Sequence, residues 1–268
     1  MVLYLVGLGL GDAKDITVKG LEAVRRCAVV YLECYTAVLS VSKQDLELFY
    51  GREVVEADRE FMESGCGEAL NRAKTEEIGI LVVGDPFCAT THSDIYLRAQ
   101  ALHIPVQVIH NASIISAIGA TGLQVYRFGE TVSIPLFTAT WRPYSFYEKV
   151  KRNRDLGLHT LALLDIKVKE PNLEAMVQGR TEYDPPRFMT AAEAAAQILE
   201  AEDKLQLGAV SGETEVIAAV RVGTATQCIR AARLSDMCGL DLGPPLHSLV
   251  IPADLHPMES EMVASFRL

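Results

Sequence analysis

The residues with chemistry to offer gather at two predicted strand ends. In Ile80-Leu81-Val82-Val83-Gly84-Asp85-Pro86-Phe87-Cys88-Ala89-Thr90-Thr91-His92, the four leading apolar residues read as a buried strand of a parallel sheet. Gly84 lets the chain leave the strand, and Pro86 fixes a turn that pushes Asp85 toward extended backbone. One carboxylate is thereby left at the carboxyl end of a central strand, where open α/β sheets hold their ligands. The same residues also suit a plain turn opened by Asp85, with Thr91 or Ser93 capping the next helix.

The second strand end is Gly7-Leu8-Gly9-Leu10-Gly11-Asp12, after the strand Val2-Leu3-Tyr4-Leu5-Val6. Its G-x-G-x-G spacing is one residue short of the dinucleotide fingerprint, although Glu33 would supply the acidic partner. Asp12 would also sit beside the pyrophosphate that such a loop receives. No G-x-x-x-x-G-K-[ST] occurs anywhere in the chain. Two strand ends with Gly and Asp but no Lys or Arg suit a ligand that lacks phosphate and carries positive charge. The glycines leave a backbone open to approach. S-adenosylmethionine answers that description, with its sulfonium and amine cationic and its adenosine within reach of main-chain groups.

The elements that must position these residues alternate. Strands at 2–6, 28–32, 53–55, 80–83 and 106–109 are separated by helices from Thr17, over 41–49, around Ala69-Leu70 and Ala73, and over 93–102. That rhythm predicts βαβ units and a parallel sheet. Asn111 or Ser113 then caps a helix through Ile114, Ile115 and Ile118, which Gly122 ends. Beyond Gly129 the texture changes. Strands are predicted at 131–137, 159–164, 216–222 and 248–251, and helices at 144–155, 191–199 and 226–234, with a hairpin tip at 204–212. The reading is an α/β protein of two domains, 1–122 with a parallel sheet and 123–268 with a mixed sheet.

Of the 268 residues 49% are hydrophobic, enough to build cores, and acidic residues outnumber basic ones 35 to 25. The net charge of -10 argues against nucleic acid or an anionic membrane held by bulk attraction. No apolar stretch approaches the roughly 20 residues of a membrane span. Cys27, Cys34, Cys66, Cys88, Cys228 and Cys238 form no C-x-x-C pair, so no zinc or redox motif is signalled. They read as reduced thiols of a cytoplasmic protein.

Longer motifs carry a resemblance. Tyr4 to Asp12 followed by Asp15-Ile16-Thr17-Val18-Lys19-Gly20 resembles the opening of the class III, tetrapyrrole-methylase-like methyltransferases. Most of that superfamily has proline where this chain has Leu10. That departure, with Gly84 to Asp94, is similar to the diphthine synthase branch. His110-Asn111-Ala112-Ser113-Ile114, Gly129 to Ser133, Thr140-Trp141-Arg142-Pro143, Leu163 to Glu170, Pro185-Pro186-Arg187, Arg221-Val222-Gly223 and Pro245 to Leu249 extend the likeness over nearly the whole chain.

The resemblance implies two α/β domains, S-adenosylmethionine in the cleft between them, and a homodimer. It implies methylation of a modified histidine of translation elongation factor 2 during diphthamide synthesis. The amine of the histidine's arm becomes a trimethylammonium, and its carboxylate a methyl ester. Carried over residue by residue, the cofactor contacts fall on Leu10, Asp85, Cys88, Ser113, Ile114, Leu164, Val222 and His247. Relatives often have glycine at the Cys88 position. The cofactor arrives activated, so no metal is expected. Removal of the amine proton needs a base or a dry cleft, and Asp165, Glu170, His92 and His247 stand as candidates without a choice among them. Trp141 to Tyr144, the basic residues Lys149, Lys151, Arg152 and Arg154, and Arg187 are candidate anchors for a protein substrate. The alternatives are a class III methyltransferase of a small molecule such as a tetrapyrrole, and a scaffold that keeps the cofactor site without catalysis.

Overall fold

In the computed structural model, which describes residues 1–35, 39, 41–88, 92–168, 172, 179–180 and 182–267, the apolar runs form the strands of two five-stranded sheets. The chain divides into a first unit of Met1–Ile115, Val168–Pro186 and Gly223–Ala225, and a second of Ser116–Lys167, Arg187–Val222 and Thr226–Leu268.

In the first unit, β1 (Val2–Gly7), β2 (Val29–Glu33), β3 (Val55–Ala57), β4 (Glu77–Val82) and β5 (Val106–Ile109) lie in the order β3-β2-β4-β1-β5. Every pairing is parallel, as the alternation with helices requires. β1 and β4 are central and apolar on both faces. Leu3, Leu5, Ile78, Ile80 and Val82 pack with Leu70 and Ile95 on one side. Tyr4, Val6 and Leu81 pack with Val24 and Leu46 on the other. The helix Val18–Arg26 starts where the Thr17 hydroxyl accepts the Gly20 amide, and Lys43–Tyr50 starts on a reciprocal Ser42–Asp45 box. The helix Ser93–Ala101 begins after His92 without a side-chain cap. Ser93 is thus its first residue, and Thr91, the other predicted cap, lies outside the described residues.

The second unit holds β6 (Val132–Ile134), β7 (Thr160–Leu164), a short pair β8 (Ile166–Lys167) and β9 (Arg187–Phe188), then β10 (Glu215–Val220), β11 (Cys228–Arg233) and β12 (His247–Ile251), and its main sheet is mixed, in the order β11-β10-β12-β7-β6. β6 runs parallel to β7. β12, β10 and β11 follow by antiparallel steps. The expectation of a parallel sheet followed by a mixed one is met.

Three predictions for this unit fail for identifiable reasons. The segment 226–234, read as a helix, is mostly β11. Ala231, Ala232 and the arginines favour helix locally, but Ile229 and Ala231 are buried while Cys228, Arg230 and Ala232 are more open, and that period of two fits pairing with β10. The helix from Ala191 does not stop at Leu199 but continues to Leu205, so 204–212 is a helix end closed by left-handed Gln206 rather than a hairpin tip. Ala191, Ala194, Ala195, Ile198 and Ala201 form its buried stripe. A last helix, Pro257–Ala264, follows β12, and proline at its first turn is the signal that marks it.

Candidate functional site

Asp85 follows β4 at the carboxyl edge of the parallel sheet and is 4% exposed. Its Oδ1 accepts the Phe87 amide at 2.9 Å, which makes the Asp-Pro segment a side-chain-closed turn. Its Oδ2 accepts the Asn111 amide at 3.1 Å and lies 2.8 Å from Nδ1 of His110. Burial works against this carboxylate, but the amides of Phe87 and Asn111 and the His110 ring outweigh it and hold its pKa below the ordinary value. Asp85 thus opens the turn, as one of its two readings from the sequence has it. Oδ1 closes the turn after β4, and Oδ2 ties that turn to the end of β5.

The glycine loop is tied to the same junction. Gly9 and Gly84 exchange main-chain bonds of 3.2 and 2.7 Å, with Gly9 at φ 76° and Gly84 at φ 78°. Asn111 Nδ2 donates to the carbonyls of Gly7 at 3.0 Å and Asp15 at 2.9 Å. Asp15 Oδ2 accepts the amides of Gly11 at 2.7 Å and Leu10 at 3.3 Å. A Cβ on Gly7 would meet the Gly84 carbonyl oxygen at 2.7 Å, and one on Gly11 the Gly223 carbonyl oxygen at 2.5 Å. These glycines admit the protein's own loops. At those two positions the approach that the sequence leads one to expect is made by the chain's own backbone.

Of the eight cofactor positions expected from the sequence, five lie in the first unit. Leu10 is in the glycine loop, Asp85 and Cys88 are in the turn after β4, and buried Ser113 leads into Ile114 at the start of the short helix Ile114–Ala117. Ser113 lies under Gly84, where an added Cβ would stand 3.6 Å from its own. The other three lie at one edge of the second unit's sheet. Leu164 ends β7, His247 begins β12, and Val222 lies just beyond the end of β10. The pairings Ser248 with Leu163 and Val220 with His247 bring those ends side by side.

The four candidates for a base differ in environment, and only the described ones can be placed. His247 is buried; its Nδ1 accepts the Ala191 amide at 3.2 Å, and its Nε2 donates to the carbonyls of Gly243 and Pro244, both at 3.1 Å. Burial lowers its pKa, and neither nitrogen is left to take a proton. His92 is 1% exposed, and burial lowers its pKa against the opposing charge of Glu33. Asp165 uses Oδ2 to accept the Leu136 amide at 2.9 Å. Glu170 lies outside the described residues. His110, Asn111 and Asp15 are absent from the site residues expected from the sequence. The signal for His110 and Asn111 was a polar pair placed directly after an apolar strand.

Most of the candidate anchors for a protein substrate have partners within the chain. Lys149 and Arg152 pair with Glu130, Lys151 with Asp155, Arg142 with Glu200 and Arg187 with Glu193. Trp141 remains about half exposed.

Comparison with known proteins agrees with the motifs. Residues 2–238 match the tetrapyrrole (corrin/porphyrin) methylases. The chain is 56% identical to the diphthine methyl ester synthase of Homo sapiens, over 100% of this chain and 95% of that protein. It is 49% identical to that of Saccharomyces cerevisiae, over 99% of this chain and 89% of the relative. A solved diphthine synthase superposes with a TM-score of 0.85 at 35% identity, covering 100% of this chain and 96% of that one. Alike in sequence and in fold along its length, the chain belongs to the tetrapyrrole methylase family, as a full-length relative of the diphthine methyl ester synthases.

Proposed function

We propose that this protein transfers methyl groups from S-adenosylmethionine to the modified histidine of translation elongation factor 2 in diphthamide synthesis, on the arm's amine and on its carboxylate. The observation that carries the cofactor is the use of Asp15 and Asp85. Asp15 occupies the amides of Leu10 and Gly11 that a bound phosphate would need, and none of the described bonds that hold these loops comes from Lys or Arg. An edge so furnished fits a cationic ligand and not an anionic one. The acceptor is supported by the full-length likeness to the diphthine methyl ester synthases.

Leu10, Asp85, Cys88, Ser113 and Ile114 in the first unit, with Leu164, Val222 and His247 in the second, are the proposed cofactor contacts. Bound there, the cofactor supplies a methyl group already activated by positive charge on sulfur. The chain's own work is to fix the loops, hold the acceptor in line and manage its proton. Asp85 and Asn111 do the first by locking three loop backbones together.

Elongation factor 2 as substrate implies a cytoplasmic protein, and a homodimer is the proposed state. Among the described residues no helix is long and apolar enough to cross a membrane. Thermal melting tests the cofactor: S-adenosylmethionine and S-adenosylhomocysteine should raise the midpoint and NAD should not. Stabilisation by NAD, or by none of the three, overturns the reading. Intact mass of elongation factor 2 bearing the unmethylated arm, before and after incubation, tests the acceptor.

A further inference from the structure

Resting on the reading that the acceptor begins as an amine, we propose that His110 is the proton acceptor for N-methylation and that Asp85 is the residue positioning it. An ammonium group has no lone pair, so each N-methylation needs an N–H bond broken first. The electron pair stays on the nitrogen and the proton must go to a group with a free lone pair. Among the described candidates, His247 has both ring nitrogens committed, His92 is sealed in the interior, and Asp165 has one oxygen on the Leu136 amide.

His110 is differently placed. It is the first residue after β5, at the carboxyl edge that carries Asp85 and the glycine loop. Its Nδ1 lies 2.8 Å from Asp85 Oδ2, while 67% of its side chain is exposed. Asp85 already accepts two main-chain amides and, as a carboxylate, can only accept from the ring as well. The hydrogen therefore sits on Nδ1, and Nε2 presents its lone pair outward. Asp85 is the charged group against this ring, and the other neighbour described is Phe87, whose ring lies 6.4 Å away, centroid to centroid. A buried carboxylate that fixes the tautomer and steadies the imidazolium is a recurring way of making a histidine a base.

The step is a simple exchange. The substrate's N–H bond breaks, a new N–H bond forms at Nε2, and the resulting imidazolium faces Asp85 until the exposed ring returns the proton to water. A carboxylate acceptor has its lone pair already and needs no such step. The two kinds of transfer should therefore depend on His110 to different degrees.

His110→Asn keeps a donor toward Asp85 and removes the acceptor. Single-turnover reactions on two substrates test it, elongation factor 2 with the unmethylated arm and with the arm already trimethylated. N-methylation should fall roughly 100-fold relative to esterification, and added imidazole should restore part of it. Nitrogen NMR of the ligand-free protein gives a readout apart from turnover. It should show the Nδ1–H tautomer at His110 in the parent and its loss in Asp85→Asn. Equal losses in both reactions, no loss in either, or the Nε2–H tautomer in the parent would overturn the inference while leaving the reading intact. A parent chain that adds no methyl group to either substrate overturns the reading, and the inference falls with it.

Discussion

A buried carboxylate with three partners stabilises the fold and also makes it sensitive to acid. Removing Asp85 leaves the Phe87 and Asn111 amides without acceptors, so Asp85→Ala should cost about 2–4 kcal/mol in urea unfolding. Because its pKa is depressed in the folded chain, its contribution is full above the ordinary value of 3.8 and is lost as pH falls through the lower folded value. Acid unfolding of Asp85→Asn should be correspondingly shallower than that of the parent; an equal slope would show that Asp85 is not the group responsible. The position of Asp85 was legible in the sequence, since a Gly-Asp-Pro run after an apolar strand has few other homes. Its partners were not. His110 and Asn111 lie 25 and 26 residues away, and only the parallel pairing of β5 with β1 brings them to the same edge. Asp15 was hidden for a different reason, because its local bonds to Leu10 and Gly11 depend on how the loop curls.

At the level of elements, loops close where glycine permits and helices start where a side chain takes up their free amides. Gly11→Ala would drive a methyl group to 2.5 Å from the Gly223 carbonyl oxygen and 3.0 Å from Asp15 Oδ2. A backbone neighbour cannot swing aside, so a loss of about 1–3 kcal/mol is expected, seen as a lowered melting temperature together with weaker S-adenosylmethionine binding. A normal melt with normal binding would show that the loop relaxes at no cost. Glu259 fastens the last helix. It accepts the amides of Gln124 at 2.9 Å and His256 at 2.8 Å, and bonds to Arg127 and His159, both at 3.2 Å. Glu259→Ala strands a buried histidine and an arginine, and should cost about 3–5 kcal/mol by the same urea assay. Strand and helix alternation in the first unit was readable because both faces of its sheet are apolar. The β11 segment was not, because alanine and arginine hold no local preference for a strand and only the hairpin partner β10 decides.

Across the whole molecule, three buried histidines act in the same direction. His92, His159 and His247 all have pKa values lowered from 6.5, with burial the largest cause in each. A depressed histidine favours the folded state fully above 6.5, and that advantage erodes as pH falls toward the lower folded values. Guanidinium unfolding at pH 7.5 and 5.5 should therefore show the protein less stable at 5.5, and His159→Gln should reduce the difference. An unchanged midpoint would contradict the burial of all three. The two units also share out the chain unevenly. The first takes residues 168–186 and 223–225 from beyond the second unit's opening strands, and the glycine that would crowd Leu10 is residue 223. A polypeptide emerging from the ribosome thus cannot complete its leading half until most of the trailing half has been made. A premature stop codon anywhere before that point yields a product with neither half whole.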